Sequence, residues 1–479
     1  MTDNYSGAIR AREMSMPPET DAQLLRVAII GAGPAAFYAA DHLLKSRADD
    51  ISVDMFDRLP TPFGLVRAGV APDHQKIKTV TKNFTAIGSD PRFRFFGNVQ
   101  FGRDITIEDI RANYHKVLFA TGAQSDRKMG IPGEDLRGSH PATEFVAWYN
   151  GHPDFRHCAF DLSQERVVIV GVGNVAVDVA RILCLAPNEL AATDMPSYAI
   201  EALSRSKVRE VHLLGRRGPA QAAFTTPELK ELGELEDTDL VIDPAEAALD
   251  PLSVDAMAHS TDRMLARKVD LIQASAGKMP QGRRRRLFLR FFVAPAELVG
   301  DESGNVKCVR LAVNRLKRTE TGTLVTEVTG ETEAIAAGLV FRSVGYRGVP
   351  LPGVPFNERM GVILNAGGRV LDPDTQTPLP GMYVAGWIKR GPSGVIGTNK
   401  PDSVETVERM FEDACVCQML KPVNVDREAI VKLLERRGAR PVSFAEWLQL
   451  DRLECAAGTA AGRPRAKFTS VVEMLAALV

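Results

Sequence analysis

The feature that most constrains this chain is a glycine-rich turn that occurs twice, each time between an apolar run and a helix-like stretch. The first copy is LLRVAIIGAGPAAFYAADHLL, residues 24–44, and the second is VVIVGVGNVAVDVARIL, residues 167–183. Glycines allow the tight turn and the approach of backbone to a pyrophosphate, while the helix that follows offers free N–H groups and partial positive charge. The two copies predict two dinucleotide-binding units in one chain.

Apolar runs alternate with amphipathic stretches from residue 24 to about residue 390, which predicts an α/β fold built on parallel sheets. The 479 residues suffice for two to four domains of ~150 residues each. Strand-like runs KVLFATGA (116–123) and GLVFRSVGYRG (338–348) bracket the second glycine turn, so we predict that one nucleotide domain is inserted in the other. The expected parts are an outer domain at 24–124 and 346–479, an inner domain at 125–345 and an N-terminal extension at 1–23.

The composition is that of an ordinary soluble globular protein. Hydrophobic residues make up 45%, charged residues 25%, and the formal net charge is -1, so no global charge points to nucleic acid. No apolar run approaches the ~18 residues of a membrane span, and the first 23 residues do not resemble a signal peptide. The six cysteines lack zinc or iron–sulfur spacing. We therefore expect a cytoplasmic protein without a metal site or membrane insertion.

The first glycine motif has the surroundings of a nucleotide site. Its Gly31, Gly33, Pro34 and Ala35 follow the strand-like VAII, and proline suits a first helical turn because its missing N–H costs nothing there. About twenty residues later, the strand-like ISVDMFD ends at Asp57. An acid at that point predicts hydrogen bonds to ribose hydroxyls.

The second glycine motif differs at the corresponding position. After Gly171 and Gly173, the next strand-like run, REVHLLGRRG, ends in Arg216 and Arg217 rather than in an acid. Two guanidinium groups can hold a ribose 2′-phosphate, which predicts NADP(H) rather than NAD. About forty residues separate the turn from these arginines, and we interpret the extra length as a lengthened helix and loop.

Three further segments carry a resemblance to a known family. They are DRLPTPFGLVRAGVAPDHQKIK (57–78), LLGRRGPAQAAFTTPELKEL (213–232) and MYVAGWIKRGPSGVIGTNK (382–400), and with both glycine motifs they resemble the adrenodoxin reductase family of ferredoxin-NADP reductases. The resemblance covers nearly the whole chain after residue 24. It implies a glutathione-reductase-like flavoprotein, with FAD in the outer domain and NADPH in the inserted one. The implied enzyme transfers a hydride from NADPH to FAD and passes electrons singly to a ferredoxin-type iron–sulfur protein.

The resemblance also implies site residues. His74 and Glu228 are implied as polar groups near the nicotinamide. Asp57 is one methylene shorter than the glutamate more usual in the family, whereas Trp387 after Ala385-Gly386 agrees with this branch. The implied FAD contacts, besides the first glycine motif, are Asp57, Leu65, Trp387, Gly394, Val395 and Ile396. The implied NADP contacts, besides Gly171 and Gly173, are Asn174, Val175, Arg216, Arg217, Glu228 and Gly394.

Two parts of the chain leave alternatives open. The run Arg283–Arg286, with Arg290 close behind, is the densest basic cluster and is interpreted either as a surface that steers an acidic ferredoxin or as a solvated strand end. The tail after Pro422 is predicted to be mostly helical and carries no recognisable motif. Alternative functions are an NADPH-dependent flavoprotein like the glutamate synthase small subunit, a flavin monooxygenase, or a nucleotide-binding sensor or RNA-binding protein without catalytic turnover. No cysteine precedes Cys158, which disfavours the iron–sulfur clusters of the first.

Overall fold

A computed structural model describes residues 24–46, 51–424 and 426–479. The predicted N-terminal extension, 1–23, lies outside the described residues. The strands in chain order are β1 (Leu25–Ile30), β2 (Ile51–Phe56), β3 (Phe93–Phe96), β4 (Lys116–Phe119), β5 (Ser125–Asp126), β6 (Ser139–Pro141), β7 (Arg166–Val170), β8 (Glu210–Leu214), β9 (Thr238–Val241), β10 (Arg285–Arg290), β11 (Val293–Gly300), β12 (Val306–Arg318), β13 (Leu324–Ile335), β14 (Leu339–Arg342), β15 (Tyr346–Arg347), β16 (Phe356–Asn357), β17 (Val362–Ile363), β18 (Asn365–Ala366), β19 (Arg369–Leu371) and β20 (Pro378–Val384).

The helices connect and cover these strands. In chain order they are α1 (Pro34–Ser46), α2 (Leu65–Ala68), α3 (Gln75–Lys78), α4 (Thr81–Gly88), α5 (Ile107–Asn113), α6 (Ala142–Tyr149), α7 (Asn174–Cys184), α8 (Pro187–Ala191), α9 (Ser197–Ser204), α10 (Thr226–Glu234), α11 (Pro244–Ala247), α12 (Pro251–Ala258), α13 (Arg263–Ala276), α14 (Trp387–Arg390), α15 (Asn399–Cys415), α16 (Ala429–Arg436), α17 (Phe444–Ala460) and α18 (Val471–Ala476). No helix in the described ranges combines the length and the apolar character that crossing a bilayer requires.

The larger sheet draws its strands from both ends of the chain. Its order is β18-β19-β20-β4-β1-β2-β3, with β1 parallel to both β2 and β4. Alternate residues of β1 enter two different cores, because successive side chains of a strand point to opposite faces. Val27 and Ile29 pack with α1 and Trp447, whereas Ala28 and Ile30 pack in the core on the other face. Because both faces of this sheet are covered, its strands have nearly continuous apolar sequences.

The smaller sheet comes from the middle of the chain. Its order is β6-β14-β7-β8-β10-β9, and the core on one face includes buried residues of α6, α7 and α10. The other face is covered by the antiparallel sheet β11-β12-β13, whose Val309 and Leu311 pack near Val168 and Val340. The nested α/β fold thus agrees with the predicted fold class. The predicted domain boundaries stay a prediction.

The two crossings between the sheets pair with each other. Strand β5 follows the larger sheet's β4, strand β15 follows the smaller sheet's β14, and the two are antiparallel, with Tyr346 opposite Asp126. This short ribbon pairs the two chain crossings between the outer unit and the inserted one.

One expectation about the interposed stretch is wrong. Between the second glycine turn and the two arginines we expected a lengthened helix and loop, but α7 ends at Cys184 and two separate helices, α8 and α9, lie in the interposed stretch. Pro187 begins α8, and Pro196 directly precedes α9. Proline tends to start a new helix rather than continue an old one because it lacks an N–H and clashes with the preceding turn.

The tail after Pro422 is helical, as predicted. Helices α16 and α17 pack on opposite faces of the larger sheet: Phe444 and Trp447 of α17 lie in the core with Val27, and Ile430 and Leu434 of α16 lie in the core with Ala28. The part beyond α17 also contacts the inserted unit.

Candidate functional site

The first glycine turn is shaped by close backbone packing. The Gly31 N–H donates to the Phe56 carbonyl at 2.8 Å, and Gly31 has a φ of 101° that disfavours other residues. A Cβ atom on Gly31 would lie 2.6 Å from the Ala120 carbonyl oxygen. A Cβ on Gly33 would meet no atom within 4 Å. The turn is therefore closed behind Gly31 and open above Gly33, as a pyrophosphate cradle at the start of α1 requires.

Asp57 is tied directly to this turn. Its carboxylate accepts the N–H of Ala32 at 2.8 Å and the N–H of Leu59 at 2.9 Å. Burial raises the pKa of the Asp57 carboxyl, while these two backbone bonds and the charge of Arg58 oppose the rise. Each carboxylate oxygen has a second lone pair, so both can still accept a ribose hydroxyl. The prediction for Asp57 thus fits the geometry.

Leu65 lies beside the same turn. The Phe63 N–H donates to the Ala32 carbonyl at 2.8 Å, and a Cβ on Gly64 would lie 2.9 Å from the Gly33 Cα. Helix α2 begins at Leu65, whose side chain stays exposed. The segment that carries Leu65 therefore forms one wall of the cradle.

The loop that carries Trp387 reaches the start of α1 from the other side. A Cβ on Gly386 would lie 2.7 Å from the Ala35 Cβ, and the Gly386 N–H donates to Asp402 at 2.6 Å. The Trp387 ring lies 5.5 Å from the ring of Tyr346, centroid to centroid, and its Nε1–H donates to the Ser393 carbonyl at 3.2 Å.

The rest of this loop is open to solvent. Gly394, with a φ of 77°, and Val395 are exposed, whereas Ile396 packs on the outer core. The structure therefore brings Asp57, the segment before Leu65 and the residue before Trp387 to the first turn, and it leaves Gly394 and Val395 exposed.

The second glycine turn repeats the pattern of the first. The Gly171 N–H donates to the Leu214 carbonyl at 2.9 Å, its φ is 120°, and a Cβ there would collide with the Ser343 carbonyl. The position of Gly173 is again open. Asn174 begins α7, and its side-chain oxygen accepts the Thr225 N–H at 3.1 Å. The next residue along α7, Val175, is half-buried against the inserted core.

Arg216 and Arg217 follow the end of β8, the strand next to this turn. Arg216 is exposed and Arg217 is half-buried. Within the described part of the chain neither guanidinium has a hydrogen bond or an ion pair. Burial and the charge of Arg216 lower the pKa of Arg217. Two uncompensated cations at this position match the charge of a 2′-phosphate.

His74 lies where the two units meet. Its Nε2 is 2.9 Å from the Glu231 carboxylate on α10, and its Nδ1 is 3.8 Å from the Asp178 carboxylate on α7. Burial lowers the pKa of His74, but the hydrogen bond to Glu231 and the nearby carboxylates outweigh burial, so the net pKa is raised. Burial raises the pKa of Asp178 to about 7, with Glu228 and Glu231 adding to the rise and His74 opposing it. The hydrogen bond to Glu231 and the nearby carboxylates therefore favour the protonated form of His74.

Glu228 does not contact His74. The Thr225 hydroxyl donates to the Glu228 carboxylate within the first turn of α10, and Glu231, one turn later, makes the contact with His74. Glu231 and Asp178 were not predicted from the sequence. Helical spacing was the available signal, since Asp178 lies four residues after Asn174 and Glu231 lies three residues after Glu228.

Comparisons with known proteins place this geometry in a family. The family model described as pyridine nucleotide-disulphide oxidoreductase matches residues 25–218. The NADPH-ferredoxin reductase FprA of Mycobacterium tuberculosis is 45% identical over 460 residues, which cover 94% of this chain and 98% of that protein. The chain belongs to the adrenodoxin-type ferredoxin-NADP reductases.

Further relatives agree with this membership. The mitochondrial NADPH:adrenodoxin oxidoreductase of Arabidopsis thaliana is 40% identical, with 95% of each chain covered. A solved structure described as M. tuberculosis FprA in complex with NADPH has a TM-score of 0.89 and 44% identity, covering 95% of this chain and 100% of that one. The matches confirm the fold class, the enzyme class and the two cofactors, FAD and NADP(H), predicted from the sequence. The roles of single site residues stay predictions.

The four arginines of the basic run Arg283–Arg286 differ in their exposure to solvent. The side chain of Arg285 is buried, so the four arginines do not form one continuous exposed patch. Strand residues alternate between two faces, which turns Arg285 inward while Arg284 and Arg286 stay exposed. Arg286 in turn pairs with Glu210.

The run also lies at the amino ends of the parallel strands of the inserted sheet, away from the second glycine turn. Strand β10 begins at Arg285 and is parallel to β8, whose own parallel neighbour β7 ends at the Gly171 turn. The amino ends of these strands carry the arginines, and the carboxyl ends carry the nucleotide turn. A five-residue strand, such as β7, spans about 16 Å, so the basic run is distant from the site.

Proposed function

We propose that this chain oxidises NADPH and reduces a small ferredoxin-type iron–sulfur protein, with FAD held at the first glycine turn and NADPH at the second. When bound, FAD accepts a hydride from NADPH and returns the two electrons singly to the partner. The observation that carries the proposal is the presence of two complete cradles on separate sheets, joined across their meeting point by the contact between His74 and Glu231.

The outer unit is proposed to bind FAD through its backbone and one acid. The open position above Gly33 and the N-terminus of α1 face the pyrophosphate, while Asp57 accepts the ribose hydroxyls. Leu65 and Trp387 border the cofactor on two sides. The backbone N–H groups of Gly394, Val395 and Ile396 would offer donors to the flavin ring, where negative charge gathers on reduction, and the first two of these residues are exposed.

The inserted unit is proposed to select NADPH by charge. Arg216 and Arg217 have no protein partner among the described residues, so a 2′-phosphate satisfies donors that are otherwise idle. Asn174 and Val175 lie at the helix start, where the pyrophosphate binds.

His74 and Glu228 are proposed to border the nicotinamide rather than to transfer a proton, because a hydride step requires neither an acid nor a base. Glu231 and Asp178 hold His74 from the inserted unit. Through these contacts, the His74 imidazole holds the first cradle at a fixed distance from the second. This arrangement supports orientation as the contribution of His74.

The partner is proposed to be a ferredoxin. A relative from Mycobacterium bovis carries the name probable ferredoxin/ferredoxin--NADP reductase; it is 45% identical over 462 residues, which cover 76% of its length. Docking at Arg283–Arg286 has little support, because one of its arginines is buried and the run lies at the opposite edge of the sheet from the second glycine turn. A cytoplasmic location stays a prediction.

Anaerobic titration tests the proposal. NADPH is expected to bleach the yellow protein much more efficiently than NADH, and addition of ferredoxin with cytochrome c is expected to start steady turnover. Protein that is colourless, or yellow and not bleached by NADPH, would instead favour the non-catalytic sensor. Bleaching by NADPH without ferredoxin reduction, together with substrate hydroxylation in a separate aerobic assay, would favour the monooxygenase.

A further inference from the structure

The end of the chain crosses from the outer unit to the inserted one. Beyond α17, the Arg463 guanidinium donates to the Met195 carbonyl at 3.0 Å and to the Ser197 hydroxyl at 2.9 Å. Further on, Glu473 pairs with Arg156 at 2.8 Å. We call residues 461–473 the C-terminal strap. Its sequence carries no recognisable motif, and the cofactor cradles described above do not use it.

Lys467, in the middle of the strap, has a fully satisfied and buried ammonium group. Its side chain is 2% exposed. The Nζ lies 3.2 Å from the Arg67 carbonyl, 3.1 Å from the Asn150 carbonyl and 3.2 Å from the Asp194 carboxylate. These three acceptors match the three N–H donors of a lysine. One acceptor belongs to α2 of the outer unit and two belong to the inserted unit, so a single ammonium joins both.

Asp194 extends this bridge toward the site. Its buried carboxylate also accepts two hydrogen bonds from Lys78, at 2.8 and 2.7 Å. Lys78 is the last residue of α3, the one-turn helix whose preceding residue is His74. The carboxylate therefore holds both the strap and the segment that carries His74.

The charges around Lys467 are unbalanced. Asp194 opposes the charge of Lys467, while Lys78 on α3 and Arg67 on α2 share its sign. Glu454 of α17 neutralises Arg67 and Arg465 beside this group. Burial lowers the pKa of Lys467 to about 7, with Lys78 and Arg67 adding to the decrease and Asp194 opposing it. Apolar side chains would join the two surfaces without burying an ammonium group. The buried pair of Lys467 and Asp194 therefore favours a role in fixing one relative position of the two units.

We infer that Lys467 and Asp194 form an interdomain clamp that positions His74, and through it the nicotinamide, against the flavin. The inference rests on the proposed function. Both are positioning residues, since neither contacts a cradle residue with its own cofactor role. The clamp is expected to affect the rate of hydride transfer, because displacing the reacting groups by about 1 Å can lower such a rate by about 100-fold.

Stopped-flow reduction of the anaerobic holoenzyme tests the clamp. In Lys467→Met and Asp194→Asn, the rate at saturating NADPH is expected to fall by about 10- to 100-fold. The NADPH concentration for half-maximal rate changes little, since the NADPH cradle is intact. Long-wavelength absorbance from stacked flavin and nicotinamide is expected to weaken in parallel. The difference in reduction rate between the wild-type protein and Lys467→Met is expected to decrease above neutral pH, because the wild-type Lys467 also loses its charge there.

The matched control is Glu473→Gln, which removes an exposed ion pair of the same strap and is expected to keep the wild-type rate. Flavin absorbance and melting temperature identify folded variants, and Asp194→Asn, which alters one atom, carries the test if Lys467→Met loses flavin. Wild-type rates in both clamp variants, or equal slowing in Glu473→Gln, would overturn the clamp alone. If NADPH failed to reduce the flavin bound to the wild-type protein, both the proposed function and the clamp would be overturned.

Discussion

His74 and Glu231 lie 2.9 Å apart, imidazole nitrogen to carboxylate oxygen, although 157 residues separate them and they belong to different units. The contact joins the segment after the first cradle to the helix after the second. The approach of the two units at this point therefore involves side chains that contact each other only in the folded protein.

Replacing His74 with alanine is expected to slow flavin reduction by about 10- to 100-fold, because the imidazole fixes the approach of the two cradles. Stopped-flow absorbance at saturating NADPH measures the rate. His259→Ala is the matched control, since that histidine is exposed and far along the chain from either cradle. An unchanged rate in His74→Ala would remove His74 from the site.

The stability contributed by the pair of His74 and Glu231 is expected to decrease as the pH rises. The pKa of His74 is raised above 6.5, so its contribution is complete below that value and is lost as the pH rises through the folded-state pKa. The pKa of Glu231 is lowered from 4.5, chiefly by the hydrogen bond from His74, so its contribution is lost as the pH falls below 4.5.

A double-mutant cycle with His74→Ala and Glu231→Gln, followed by urea denaturation, measures this coupling. The coupling is expected at about pH 5.5 and is expected to vanish at about pH 9. Equal coupling at both values would contradict the assigned charge states.

Reversing Arg216 and Arg217 to glutamate is expected to discriminate the two nicotinamide cofactors. Each charge-assisted hydrogen bond to a phosphate contributes about 1.5–3 kcal/mol, so the KM for NADPH should rise at least about 10-fold per residue. The KM for NADH should change little, because NADH lacks the 2′-phosphate. Arg284→Glu, at an exposed arginine of the far sheet edge, controls for net charge. Equal losses with both cofactors would refute the 2′-phosphate assignment.

Alanine at the two glycines of the first turn is expected to have different effects. Gly31→Ala forces a Cβ to within 2.6 Å of a carbonyl oxygen at a φ of 101°, so the variant should be unstable. Gly33→Ala meets no protein atom, so the chain should fold but bind FAD weakly. Melting temperature and flavin absorbance after gel filtration separate the two outcomes. Full flavin content in Gly33→Ala would exclude the proposed pyrophosphate position.

Charge reversal of Arg284 and Arg286 together is expected to leave ferredoxin-dependent cytochrome c reduction nearly unchanged, because both lie at the amino edge of the inserted sheet. The salt dependence of the reaction is a sensitive check, since a docking arginine changes the association rate. A large decrease at low salt, absent at high salt, would restore the basic run as a docking surface.

Sequence reasoning succeeded where the chemistry is local. A glycine with a positive φ, a helix that begins three residues later and an acid or arginine pair after the next strand all lie within short stretches of chain. The positions of Gly31 and Gly171 in the turns, and of Asp57 and Arg216 after the next strands, were therefore predictable, whereas their roles toward the cofactors stay predictions. It failed where burial depends on strand alternation against a neighbour, as at Arg285, and where prolines divide one long connection into α8 and α9.

By itself, the sequence determined two nucleotide cradles, their nested order and the preference for a 2′-phosphate, because each depends on backbone freedom and charge at fixed local spacing. Only the tertiary structure decided which groups surround His74 and that Lys467 joins the two units. Those contacts link residues far apart in the chain, and their strength comes from burial, which no local pattern of residues specifies.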